Sequence, residues 1–158
     1  MFLAALLHDI GKITCTKIDN GRIISPHHSA VGAVMARELL WKELGLCGAN
    51  DRQQLREAVC MLIRYHSYPP FAATDNNPER KLLKIASNGE LAKGFTLRKL
   101  CILERADVLG RISNNADDYR KGEFDCYQRN DDSRYFIDNS IIFDMMIYQH
   151  KDSKLNKL

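Results

Sequence analysis

The first residues able to do chemistry form the short stretch His8-Asp9-Ile10-Gly11-Lys12. Leucines at helical spacing precede it and predict an apolar helix, with His8 and Asp9 side by side in its last turn. Gly11 is expected to end this helix in the left-handed conformation that helix C-caps often adopt. An imidazole next to a carboxylate is a plausible pair of metal ligands, and the Lys12 ammonium could contact an anion held by that metal.

A second group of candidate residues, His27-His28-Ser29, opens the next predicted helix. The expected buried stripe of this helix consists of Val31, Met35 and Leu39. Gly32 and Ala33 are small, which predicts that another element approaches the helix closely at this point.

The next helix carries a further histidine at its end. Asp51 is expected to cap this helix, with Gln54 three residues later as in a capping box. Its predicted buried stripe is Leu55, Val59, Leu62 and Ile63. His66 continues this stripe just before two prolines. A histidine on an apolar face is more often a core residue than a ligand, but a position at a helix end lets the ring project at a rim.

An aspartate lies on the apolar face of the last strongly periodic helix. Asp107 shares this face with Leu100 and Leu103. A buried carboxylate is too costly to leave ionised without a partner, so Asp107 needs either a cation or a salt bridge. Arg111, one turn later, is a well-placed salt-bridge partner, and both interpretations stay open.

These motifs together resemble the HD-domain metal-dependent phosphohydrolases. His8-Asp9 followed by Ile-Gly-Lys is similar to the signature of that family, and His28 with Gly32 four residues later resembles its second histidine region. His28 therefore matches better than His27, which is interpreted as a solvated loop residue. The segment 106–111, Ala-Asp-Val-Leu-Gly-Arg, resembles the closing segment of HD domains close to tRNA nucleotidyltransferases.

The resemblance implies an all-α helical bundle with a metal site. The implied metal ligands are His8, Asp9, His28, His66 and Asp107. The implied catalytic residues are Asp9, Lys12 and His66, and the implied substrate contacts are Lys12, His28 and Arg111. Such ligands suit Mn²⁺, Fe²⁺, Ni²⁺, Zn²⁺ or Mg²⁺, and the ligand types do not identify which of these metals binds. The expected reaction is hydrolysis of a phosphomonoester, nucleotide, cyclic phosphate or RNA end; the alternative is an impaired HD-like module that binds nucleotide, RNA or a partner domain.

HD domains usually carry one more histidine ligand upstream of the His-Asp pair, and no histidine precedes His8 in this chain. The sequence also begins within a predicted helix, without a capping residue or a preceding loop. We therefore expect an N-terminally truncated HD-like domain over 1–135, and a C-terminal helix and tail over 136–158 that could lead to a missing fused domain. The apolar residues of the first helix would leave a face uncovered, so we expect either a homo-oligomer packed through this helix or coverage by another part of the chain such as 136–148.

The composition is that of one globular domain. The 158 residues are 45% hydrophobic and 27% charged, and the net charge of +3 is too small to indicate a duplex-binding protein. Five cysteines without a C-x-x-C spacing favour free thiols in a reducing cytoplasm over a disulfide framework or a zinc ribbon. No apolar run reaches membrane-spanning length. Asn20-Gly21 lies between two β-branched stretches and predicts either a small hairpin or an ordered loop.

Overall fold

The structure, a computed structural model, describes residues 1–48, 50–68, 78–89 and 92–110. Within them the helices are α1 Phe2–Leu7, α2 Lys12–Cys15, α3 His28–Lys42, α4 Asp51–Tyr65, α5 Pro78–Gly89 and α6 Leu97–Gly110. The strands are β1 Lys17–Asp19 and β2 Arg22–Ile24. The predicted all-α class is confirmed. Arg111 and the predicted helix and tail over 136–158 lie outside the described residues.

The chain divides into two compact units. The first contains Met1–His66 and Asn88–Phe95, and the second contains Ser67–Ser87 and the residues from Thr96 onward. The described part of the second unit has buried side chains on both of its helices, among them Ile85 on α5 and Leu100 on α6. The predicted domain boundary at residue 135 stays a prediction.

A β-hairpin follows α2, which is one of the two predicted alternatives. β1 and β2 pair antiparallel, with Ile18 opposite Ile23. Asn20 and Gly21 connect them with φ angles of 49° and 75°. Both angles lie in the left-handed region, which Asn-Gly tolerates better than other residue pairs in a two-residue hairpin turn.

The core of the first unit forms where α3 packs against α4. The buried residues of α3 are Gly32, Ala33, Ala36 and Leu40. The predicted stripe of Val31, Met35 and Leu39 is only half-buried, so that prediction is one position out of register. The physical reason is size, because the face with glycine and alanine lets neighbouring backbones approach more closely than the bulkier face does.

The N-terminus of α4 also differs from the prediction. Asp51 is the first helical residue, and Asn50 before it makes no side-chain capping hydrogen bond. The side-chain oxygen of Gln54 is buried and has no hydrogen-bond partner among the described residues, so the capping box does not form. Leu55 is exposed, whereas the predicted core positions Val59, Leu62 and Ile63 are buried as expected.

α1 buries one side and exposes another. Ala4 and Leu7 are buried, whereas Phe2 and Leu6 are exposed. Coverage of this exposed face by a second copy stays a prediction. None of the described helices combines the length and the apolar run that crossing a lipid bilayer requires.

Candidate metal centre

The His-Asp motif lies in a continuous series of tight turns between α1 and α2. α1 ends at Leu7, and His8 takes right-handed helical angles. The amide of Lys12 then donates to the carbonyl of Asp9 at 2.9 Å. Gly11 has φ −67° and ψ −15°, so the expected left-handed C-cap is wrong. Glycine is required for another reason, because a Cβ at this position would lie 2.1 Å from the carbonyl oxygen of His28.

Four polar side chains meet at the Asp9 carboxylate. His8 Nε2 lies 3.5 Å and Lys12 Nζ 2.5 Å from Oδ2. His28 Nε2 lies 3.4 Å and His66 Nε2 3.7 Å from Oδ1. The ligand atoms of His8, Asp9 and His66 all lie within 4.8 Å of one another, a spacing that one ion could occupy. Residues directly after α1 and α4 and at the start of α3 thus converge on one carboxylate.

All three histidines are oriented in the same way. Each ring has its Nδ1 atom 2.8 Å from the backbone carbonyl oxygen three residues earlier. The pairs are His8 with Ala5, His28 with Ser25 and His66 with Ile63. Because a carbonyl oxygen can only accept, Nδ1 carries the proton, and in the neutral ring the lone pair is on Nε2. The three lone pairs are therefore on the nitrogens that surround Asp9.

The electrostatics of the cluster keep Asp9 ionised. Burial by itself raises the pKa of Asp9, but a hydrogen bond from the protonated form of His66, the ion pair with Lys12 and the positive charge of protonated His8 hold that pKa far below its ordinary value. The side chain is 34% exposed, so water also reaches the carboxylate. An ionised carboxylate beside oriented imidazole lone pairs is the electronic arrangement that a divalent cation requires.

The contact between two of the histidines tests whether a cation fits. His28 Nε2 lies 3.3 Å from His66 Nε2. When both rings are neutral, two lone pairs face each other with no proton between them, which is unfavourable unless a cation lies nearby. Two nitrogens each about 2.1 Å from one ion are separated by about this distance at a roughly tetrahedral angle. The donor set and its spacing therefore fit a divalent metal.

Three residues discussed in the sequence analysis remain: His27, Asp107 and Arg111. His27 is exposed and adopts a left-handed φ of 60° before α3, as expected for a loop residue. Asp107 lies on α6 in the second unit and is half-buried. Arg111, its predicted alternative salt-bridge partner, lies outside the described residues. The roles of Asp107 and Arg111 as ligand and substrate contact stay predictions.

The carbonyl groups that orient the histidines were not predicted from the sequence. His8 and His66 each follow directly after the last residue of a helix, α1 and α4 respectively. The last four carbonyls of a helix have no amide partner within it, so a histidine here can donate to one of them. A histidine at the predicted end of an apolar helix was the signal in the sequence. For His28 the acceptor, Ser25, is a loop residue, and no local pattern predicts it.

Comparison with known protein families gives a match over the part of the chain that holds this cluster. The family model for the HD domain matches residues 1–111, a span that contains every residue of the cluster. Neither the curated proteins nor the solved structures contain a match to this chain.

Proposed function

Because this chain belongs to the HD-domain family, whose members are metal-dependent phosphohydrolases, we propose that it hydrolyses a phosphoester at a bound divalent metal. The observation that carries the proposal is the common orientation of His8, His28 and His66, whose Nε2 atoms surround the ionised Asp9 carboxylate. These four residues would hold the metal, and Asp107 is proposed as a further ligand on the resemblance alone.

The protein's own groups have separate roles in this proposal. A bound metal would supply a water of lowered pKa and would polarise the phosphoryl oxygen. The backbone carbonyls that accept hydrogen bonds from the three histidines keep the rings from turning, so the rings need no reorientation when a metal binds. Lys12 is 49% exposed and lies against Asp9, where its ammonium can neutralise charge on phosphate oxygens. His66, which is 3% exposed, and Asp9 are proposed to handle protons at the reacting water.

The substrate proposal is coarser. A phosphomonoester, nucleotide or cyclic phosphate fits the chemistry, and an RNA end is suggested only by the likeness of segment 106–111 to HD domains near tRNA nucleotidyltransferases. His28 and Arg111 are proposed substrate contacts.

We also propose a reducing, cytoplasmic setting. It is supported by the thiols of Cys15, Cys47 and Cys60, which form no disulfide in the part of the chain that the structure describes.

The test combines metal content with turnover. Purified protein is stripped with a chelator and reloaded in turn with Mn²⁺, Fe²⁺, Ni²⁺, Zn²⁺ or Mg²⁺, and bound metal per chain is measured. Phosphate release is then followed with aryl phosphates, nucleotides, cyclic nucleotides and a 3′-phosphorylated oligoribonucleotide. Asp9→Asn should lose metal and turnover together, whereas Asp19→Asn on the exposed hairpin should retain both.

Two results would count against the proposal. A wild-type chain that binds no metal would overturn the metal centre itself. A chain that binds metal but releases no phosphate from any of these substrates would point to the alternative, an impaired HD-like module that binds nucleotide, RNA or a partner domain.

A further inference from the structure

Two glycines lie backbone to backbone beneath the metal centre. A Cβ built on Gly11 would be 2.1 Å from the carbonyl oxygen of His28 and 2.6 Å from the amide nitrogen of Gly32. A Cβ built on Gly32 would be 3.1 Å from the amide nitrogen of Gly11. Neither glycine has a positive φ. The lack of a side chain, rather than backbone flexibility, is therefore what both positions require.

This contact joins the segment that carries His8 and Asp9 to the segment that carries His28, and these are three of the five proposed ligands. Asp9 lies two residues before Gly11, and the atom that Gly11 meets belongs to His28 itself. The side chains of Asp9 and His28 are 3.4 Å apart. A Cβ on Gly32 would also lie 3.5 Å from Cγ2 of Ile63, the residue whose carbonyl orients His66. The spacing of the ligand atoms thus depends on how closely these backbones approach.

We propose that Gly11 and Gly32 are positioning residues that set the separation of the metal ligands, an inference that rests on the proposed metal centre. Real Cβ atoms essentially never come within 3.0 Å of a non-bonded atom, so a methyl group on Gly11, at 2.1 Å from His28 O, must increase the separation between the Gly11 segment and the first turn of α3 by about 0.9 Å. Functional sites tolerate displacements of about 0.5 Å. A methyl group on Gly32 requires only a few tenths of an ångström.

The two positions therefore predict a graded loss of metal affinity. Gly11→Ala should weaken metal binding by roughly 10- to 100-fold, the effect usually seen when the support of a metal ligand is altered. Gly32→Ala should weaken it less. Gly48→Ala is the matched control, because a Cβ there would make only an ordinary 3.6 Å contact with Arg52 Cδ and this glycine has no positive φ.

The experiment titrates Co²⁺ into chelator-stripped full-length protein and follows the visible absorption bands at a temperature well below every melting point. The bands report the number and arrangement of ligands at saturation, a signature that a loss of overall stability does not change. Circular dichroism and melting temperature of each variant are measured in parallel. The expected result is an altered spectrum for Gly11→Ala, a weaker affinity for both site variants, and wild-type behaviour for Gly48→Ala.

Each of the other outcomes supports or overturns the positioning role of the two glycines. Wild-type affinity and spectrum in a folded Gly11→Ala would overturn the positioning role. Should Gly11→Ala fail to fold, Gly32→Ala decides: a folded Gly32→Ala with unchanged Co²⁺ affinity overturns the inference, and a weakened one supports it. A wild-type chain that binds no Co²⁺ would overturn the proposed metal centre and the inference together, whereas wild-type binding with unaffected variants overturns the inference alone.

Discussion

A charged cluster between α3 and α4 offers a test of how the two helices that carry His28 and His66 are held together. Glu57 on α4 accepts hydrogen bonds from Arg37 of α3, with the shortest at 2.6 Å, and from Arg56 at 3.0 Å. The Arg56 side chain is 5% exposed. Its guanidinium also donates to the carbonyl of Leu46 at 2.6 Å and lies 4.5 Å from the ring centre of Trp41.

Glu57→Gln removes the negative charge while nearly keeping the shape. Hydrogen bonds to charged groups contribute about 1.5–3 kcal/mol each. Arg37 is 46% exposed, so solvent screens its share to less than about 1 kcal/mol. Arg56 is buried and loses its contact with the Glu57 carboxylate, which makes its share of the stabilisation the larger one. We expect the free energy of unfolding to fall by about 2 kcal/mol, or roughly 4–8 °C in melting temperature for a chain of this length.

The assay is urea unfolding followed by circular dichroism, first at pH 7. Glu38→Gln is the matched control: Glu38 lies on α3 and pairs with Lys42 in full solvent, so its replacement should have no measurable effect. A hydrogen bond from Arg37, opposed by burial and assisted by Arg56, holds the pKa of Glu57 below its ordinary value.

The sign of the pH dependence follows from that lowered pKa. The stabilisation is present above the pKa of an unfolded glutamate, about 4.3, and is lost as the pH falls through the lower folded pKa. The gap between wild type and Glu57→Gln should therefore shrink in acid. Equal stability of Glu57→Gln and Glu38→Gln at pH 7, or a gap that does not narrow at all as the pH falls below about 4.3, would refute the reasoning.

Three further predictions follow from single contacts. Asp9→Asn should weaken metal binding at least about 100-fold by calorimetry, yet lower stability by less than about 1 kcal/mol because the carboxylate is 34% exposed; a large loss of stability would mean that Asp9 is mainly structural. Lys12→Met should weaken the binding of inorganic phosphate several-fold while metal content stays constant, and Lys42→Met is the exposed control. Loss of metal with unchanged phosphate binding would contradict the proposed role of Lys12. Gly89→Ala should cost about 1–3 kcal/mol in urea unfolding, because its Cβ would lie 2.1 Å from the buried ring of Phe95, and an unchanged midpoint would show that the ring moves freely.

Much of the site was predictable because its residues carry local signals. His8-Asp9 follows an apolar helical repeat, and His66 follows the stripe of α4 to the helix end. The hairpin was predictable from Asn20-Gly21, because few residue pairs accept two left-handed φ angles in succession. Helix periodicity and turn chemistry act over a few residues, so a sequence reports them directly.

Tertiary structure alone decided which surfaces meet and at what distance. Periodicity marked the stripe of Val31, Met35 and Leu39 as the apolar face of α3, yet the face with Gly32 and Ala36 is buried. A hydrophobicity pattern identifies a buried face by its large apolar side chains, whereas close packing between the helices here requires small side chains.

Gly11 shows the same limit of local reasoning. Its sequence context predicted a left-handed helix cap, but its φ is −67°, and the reason for glycine is the carbonyl of His28 seventeen residues away. The 3.3 Å separation of His28 and His66 likewise joins residues 38 positions apart. Such contacts depend on the packing of whole helices, so the sequence determined which groups are available for a metal, and the fold determined that four of them share one place.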